Sequence, residues 1–454
     1  MNDAISSLAW GFRDGGVGNV TNYPGFFSQD VFFALGGKKI SINERVAFEM
    51  AYGSSLAGRR SVVTMKNIGL NVAADSFLHA IISGVRAGLV VVVTEDTEMT
   101  ASQEKQDSRS YYDFFGGLWL EPNSLQSAYE IARDSFRLSE EYDIPVVIRL
   151  TSEFFKLKGG ITRSSKNKKN LLPSYDPEKF IIYPNYWKKQ ADNLKIKNAR
   201  IKKFVETCHY NMRTPTHSDQ GIVINGCAKG SRIRNDWERF LVQTYPIPER
   251  SIKKFLGNKK KVKIIEQGGD LVKRSIEGLL AKRKKNLFLP RSEQAKDSPL
   301  HWMTWNDFEK LFRAIRSSKP SFLVGDVGQY TVETTHTINS ALCLGSSVGV
   351  CLGLWAGGVD YPLCVTGDAA FLHGGLVSLI EAKARGATMG IVIIDNGVAR
   401  ATGGQEVITD VRTLLRGVDR FEIDYDRVTE KEIRSIMIKM QHSRKLSVLI
   451  VKCK

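Results

Sequence analysis

Apolar residues fall into short, nearly continuous runs set between longer stretches of helical periodicity, and the alternation recurs along the whole chain. Ser61–Met65 (SVVTM), Leu89–Asp96 (LVVVVTED) and Ile144–Thr151 (IPVVIRLT) are β-rich runs of the kind found in parallel strands covered on both faces. Between them, Asn43–Gly58, Asn71–Arg86 and Ser124–Tyr142 read as helices. This predicts a parallel α/β unit over residues 1–155. Periodicity is lost in a basic linker over 156–175 and returns in a smaller α/β unit over 176–290. That unit carries a helix over Tyr186–Cys208 and strands over Gly221–Gly230 and Val262–Gln267. A second charged stretch, 282–299, precedes an α/β unit over 300–454. Its strands are Phe322–Gly328, Pro362–Asp368, Gly390–Asn396 and Ser447–Lys452. The fold class is therefore α/β, with two larger parallel units separated by a smaller one.

Composition narrows the function classes. The net charge of +17 comes from 65 Lys and Arg against 48 Asp and Glu. The excess gathers at Lys156–Lys169, Lys188–Lys203, Lys253–Lys263 and Lys282–Lys285, patches without interleaved aromatic platforms or a recognisable nucleic-acid module. They read as solvated faces rather than as a nucleic-acid site. The most apolar stretch, Ala341–Val365, is broken by five glycines and Asp360, so no membrane span is expected. No signal peptide is visible, and the expected location is cytoplasmic. The six cysteines form no C-x-x-C pair, so no iron–sulfur or zinc motif is expected on this chain.

The sharpest chemistry lies between Gly367 and Asn396. Here one strand ends at Gly367-Asp368, a helix follows, and a second strand ends at Asp395-Asn396. In an open α/β sheet this edge is where ligands bind. A carboxylate and an amide oxygen are hard donors suited to Mg²⁺ that keeps part of its shell for phosphates. A second acid, Glu44, opens a helix directly after the cap residue Asn43. A helix dipole alone also favours an acid there.

Gly367-Asp368-Ala369 and Asp395-Asn396 resemble the thiamine diphosphate signature, Gly-Asp-Gly followed by Asn-Asn. The resemblance extends along the chain. TNYPGFFSQD, INERVAFEMAYGSSLAG, TMKNIGLNVAADSF, ASQEKQDSRSYY, GDVGQYT, GDAAFLHGGL and DNGVARATGGQ are similar to the alpha subunit of indolepyruvate:ferredoxin oxidoreductase. YPNYWKK, GIVINGCAKG and TYPIPERSIKKFLG in the middle of the chain follow in the same order. The resemblance implies thiamine diphosphate and Mg²⁺ as cofactors, with Asp368, Asn396 and the main-chain carbonyl of Val398 as metal ligands. Gly367, Ala369 and the loop Asp326, Gly328 and Gln329 are implied along the cofactor. Glu44 is implied as the acid that meets the cofactor's pyrimidine. His373 is either a proton donor or substrate anchor on the thiazolium side, or a packing histidine. Lys66 and Asn71 are candidate substrate or cofactor contacts.

Departures from the family qualify this carry-over. The family's C-terminal ferredoxin-like tail, with its two four-cysteine motifs, has no counterpart up to Lys454. A cysteine-containing stretch is replaced by Ser298–Trp305, which leaves only His301 as a counterpart. Phe26 stands where the family has a threonine, in reach of substrate. The expected function is decarboxylation of a 2-oxo acid, with an arylpyruvate as the candidate substrate, oxidation to an acyl-coenzyme A and electrons passed to a partner. A non-oxidative decarboxylase or carboligase, and a non-catalytic relative, are the alternatives. A homodimer with a smaller second subunit and an electron-accepting partner is the assembly that the resemblance implies.

Overall fold

A computed structural model describes residues 2–164, 175–182, 184–228, 236–257, 259–281, 307–332 and 336–453. The charged stretch over 282–299 and His301 lie outside them, as does the side chain of Gln329. Among the described residues no helix is long and apolar enough to cross a membrane.

Three sheets organise the molecule. The first runs Thr244–Tyr245, Leu118–Leu120, Val146–Thr151, Leu89–Glu95, Ser61–Lys66, Asn19–Asn22, with every pairing parallel except that of the Thr244–Tyr245 edge. The run LVVVV explains why the sheet has helices on both faces. Val91 and Val93 pack in one core with Phe48 and Phe77, while Val90 and Val92 pack in another with Phe12 and Phe136. Each such side chain contributes on the order of 1.5–3 kcal/mol when withdrawn from water.

The middle sheet runs Lys261–Ile265, Gln220–Asn225, Glu238–Val242, Met212–Thr214, the first three strands parallel and the last antiparallel. This segment is stitched to the first unit. Thr244–Tyr245 extends the first sheet, and Ile201 and Val205 of the Pro184–Thr207 helix share a core with Leu118, Ile131 and Phe136. The third sheet is wholly parallel, in the order Leu323–Gly325, Leu363–Gly367, Gly390–Asp395, Ser447–Lys452, Asp419–Asp424.

The first and third units meet where the Glu44–Leu56 helix crosses the Ser347–Ala356 helix. At the crossing, a β-carbon on Gly53 would collide with the Val350 carbonyl, and one on Gly353 with the Met50 carbonyl. Ser54 Oγ donates to the Gly353 carbonyl at 2.9 Å. Only glycine allows so close an approach of two backbones.

Candidate functional site

The Leu363–Gly367 and Gly390–Asp395 strands are hydrogen-bonded neighbours, so Asp368 and Asn396 leave the same edge of the third sheet side by side. Asp368 opens a helix whose first turn continues, through a π-helical turn over Phe371–Gly375, into Leu376–Arg385. Such π turns inside helices recur at functional sites. Its carboxylate accepts from Ala369 N at 2.7 Å through Oδ1 and from Gly397 N at 2.7 Å through Oδ2. Gly397 reaches that position at φ +70°, a backbone conformation that favours glycine. Burial raises the Asp368 pKa against the opposing pull of these amides. A poorly solvated carboxylate with free lone pairs gains most from a cation. Asn396 Oδ1 accepts from Val398 N at 3.1 Å.

These groups converge on a cavity of about 310 Å³. Gly367, Asp368, Ala369, Asn396, Val398 and Gly328, all read from the sequence, line it, and His373 does too. Arg45 Nη1 lies 3.5 Å from His373 Nδ1. A guanidinium only donates, so in this contact Nδ1 is the nitrogen placed to accept. Tyr330 is a wall residue that sequence reasoning missed. Its phenol oxygen accepts from Gly367 N at 3.0 Å and so holds the turn before Asp368. The motif GDVGQYT contained it, but nothing in the spacing marked it.

Asp326 is not among the residues lining this cavity; it is fully buried and accepts from Gly345 N at 2.6 Å, Val327 N at 2.9 Å and Ser347 N at 3.2 Å. Its charge therefore serves the start of the Ser347–Ala356 helix, where the dipole favours an anion.

The first sheet gathers the remaining candidates at its own carboxyl edge. Asn43 caps the Glu44–Leu56 helix by accepting from Val46 N at 2.8 Å. Glu44 is 9% exposed, its carboxyl lies against Gly69, and burial raises its pKa. The next residue, Arg45, donates to the Leu344 carbonyl, and Leu344 lines the cavity. The first turn of this helix thus touches the cavity wall. Lys66 ends its strand against Gly25, beside Phe26. Phe26 and Phe27 both have positive φ, at 34° and 64°, and pack against Phe155. Asn71 stands apart from the cavity, bonded to Gln106 and Tyr111. None of Glu44, Phe26, Lys66 or Asn71 lines the 310 Å³ cavity.

A family profile described as "Thiamine pyrophosphate enzyme, C-terminal TPP binding domain" matches residues 326–439. The chain is 27% identical to the indolepyruvate oxidoreductase subunit IorA of Methanothermobacter marburgensis, over 86% of this chain and 74% of that one. It is also 27% identical to the protein of the same name from Archaeoglobus fulgidus, over 88% and 75%. Among solved structures, thiamine diphosphate-dependent 4-hydroxybenzoylformate decarboxylase of Rhodococcus jostii RHA1 superposes with a TM-score of 0.57 at 12% identity, over 99% of both chains. Benzoylformate decarboxylase from Polynucleobacter necessarius gives 0.56 at 12% identity, over 100% of this chain and 99% of that one. At such identity the structural likeness speaks for the fold.

Proposed function

From the likeness to the indolepyruvate oxidoreductase subunit IorA and the thiamine pyrophosphate enzyme profile over residues 326–439, we propose that the chain is a thiamine diphosphate-dependent enzyme that decarboxylates a 2-oxo acid of the arylpyruvate type. In this reading the acyl fragment goes to coenzyme A and the electrons leave to a partner protein. The observation that carries it is the convergence of Asp368, Asn396 and Val398 on one cavity, inside the segment that the family profile matches.

The donor set suits the group. Asp368, Asn396 and the Val398 carbonyl are oxygen donors for Mg²⁺, and the amides opening the Asp368 helix suit a diphosphate. Bound thiamine diphosphate supplies the electron sink that makes loss of CO₂ from a 2-oxo acid feasible. The protein's part is position and proton control. Glu44 is buried, which raises its pKa, and is the carboxyl assigned to exchange a proton with the cofactor's ring nitrogen. His373, on the cavity wall with Arg45 Nη1 3.5 Å from its Nδ1, is the residue assigned to donate to a substrate oxygen as charge develops there. The relatives are named as subunits, and a homodimer that binds a smaller second subunit and an electron acceptor belongs to the same proposal.

Calorimetric titration of thiamine diphosphate with Mg²⁺, followed by turnover of pyruvate and arylpyruvates with and without coenzyme A and an electron acceptor, tests this. Acceptor-dependent turnover that Glu44→Gln removes by about 10²–10⁴-fold, with cofactor binding intact, is expected. Aldehyde release without an acceptor would mark a simple decarboxylase. Absence of cofactor binding would reduce the chain to a borrowed fold.

A further inference from the structure

A second group of ligand-type side chains lies beyond the cavity, on the seam between the first and third units. Asp75 and His79 stand one turn apart on the Gly69–Ser83 helix, and Cys343 comes from the loop that leads into the Ser347–Ala356 helix. One ligand atom from each of the three lies within 4.8 Å of the others. His79 Nδ1 is 3.0 Å from Asp75 Oδ1, and Cys343 Sγ is 3.4 Å from Ser76 Oγ. Tetrahedral Zn²⁺, with bonds of about 2.0–2.3 Å, needs ligand atoms about 3.3–3.7 Å apart. Reaching that spacing takes side-chain movement, because His79 Nδ1 also lies 2.8 Å from the Asp75 carbonyl.

We propose that Asp75, His79 and Cys343 form a zinc-type site that fastens the Gly69–Ser83 helix to the loop before Ser347. The donor chemistry selects the ion. One thiolate, one imidazole and one carboxylate match borderline-soft Zn²⁺ or Co²⁺, whereas Asp368 and Asn396 offer oxygen only. Charge agrees as well. Arg45 Nη2 lies 3.9 Å from the sulfur and is itself paired with Glu49 at 2.7 Å. Asp75 and a Cys343 thiolate then bring −2, which a divalent cation cancels. Without metal, burial keeps the thiol protonated; a bound Zn²⁺ displaces that proton. Asp75 is the exposed member of the set and Cys343 the buried one.

The site is distinct from the proposed cofactor site, and so is its test. Metal-free full-length protein is titrated with Co²⁺, then with Zn²⁺, without thiamine diphosphate. One Co²⁺ per chain with a thiolate-to-cobalt absorption band, displaced by Zn²⁺, is expected. Cys343→Ser should abolish the band, and His79→Gln should weaken binding by about 10–100-fold or more. His79 and Asp75 lie at the surface, so His79→Gln and Asp75→Asn remain informative where Cys343→Ser fails to fold. Asp368→Ala should leave the band unchanged while it removes Mg²⁺-dependent cofactor binding. Absence of a thiolate band, or a band that survives Cys343→Ser, would overturn the proposal.

Discussion

In the third sheet, Leu363–Gly367 and Gly390–Asp395 run parallel and stop at Asp368 and Asn396. In the middle sheet, Gln220–Asn225 and Lys261–Ile265 also run parallel and stop at Asn225 and Glu266. Both edges obey the rule that places ligands at the carboxyl ends of parallel strands. At the third sheet the polar groups face a cavity. At the middle sheet they face the first unit, which fills the crevice with arginine. Arg109 Nη1 donates to Asn225 Oδ1 and Tyr245 OH, both at 2.8 Å, and to Glu266 Oε2 at 3.1 Å. Arg149 pairs with Glu95, lies 2.9 Å from Glu121 and donates to the Gln267 carbonyl at 2.9 Å. The two edges thus differ in what faces them: a cavity at the third sheet, buried arginines at the middle sheet.

The sharpest way to break this contrast is to unplug the closed edge. Arg149 is 1% exposed, and Arg149→Met leaves Glu95 and Glu121 buried without their partner. A loss of about 3–5 kcal/mol is expected, measured by chemical denaturation. If stability barely changes, the network does not hold the middle unit in place. At the open edge the cost falls on binding instead. Asp368→Ala should weaken Mg²⁺–thiamine diphosphate binding by about 100-fold or more, near 2.7 kcal/mol, while the denaturation midpoint holds or rises. Calorimetry and denaturation on the same variant separate the two effects. Gly397→Ala should cost about 1–2 kcal/mol of stability, because alanine resists φ +70°. It should also weaken cofactor binding, because the Gly397 amide orients Asp368.

Glu49 is the intermediate case, a fully buried acid with one arginine where the closed edge has two. Burial pushes its pKa up to about 7 despite Arg45. A carboxyl raised on folding binds more protons folded than unfolded, so its contribution to stability is largest at low pH. That contribution falls as pH climbs from the ordinary carboxylate value through about 7. Glu49→Gln should flatten this part of the stability–pH profile. An unchanged slope would show that Arg45 keeps Glu49 ionised throughout.

Much of this was legible because it is periodic or local. The LVVVV run predicted a doubly covered strand, and the strands over 61–66, 89–95, 363–367 and 390–395 lie within a residue or two of expectation. Asp368, Asn396 and Val398 meet at one cavity because neighbouring parallel strands deliver them together. What the sequence concealed is long-range. Asp326 reads as a loop acid next to a glycine, and only the fold shows that it faces a helix start. Tyr330 looks like any apolar aromatic until its hydroxyl finds Gly367 N. Arg109 sits in the run ASQEKQDSRSYY and Arg149 in a β-rich run, but neither setting reveals partners that come from segments up to 157 residues away. Thr244–Tyr245 is too short a strand to announce that it joins the first sheet.

The glycine crossing of the Glu44–Leu56 and Ser347–Ala356 helices constrains how this protein can be recombined. Chimeras that exchange the first unit with that of a relative must carry the facing helix as well. A single β-carbon at Gly53 or Gly353 pushes two backbones apart, and with them the acid at one end of the first helix and the cavity wall it touches. The unit that can be inherited, swapped or engineered is therefore the helix pair, not either sheet alone.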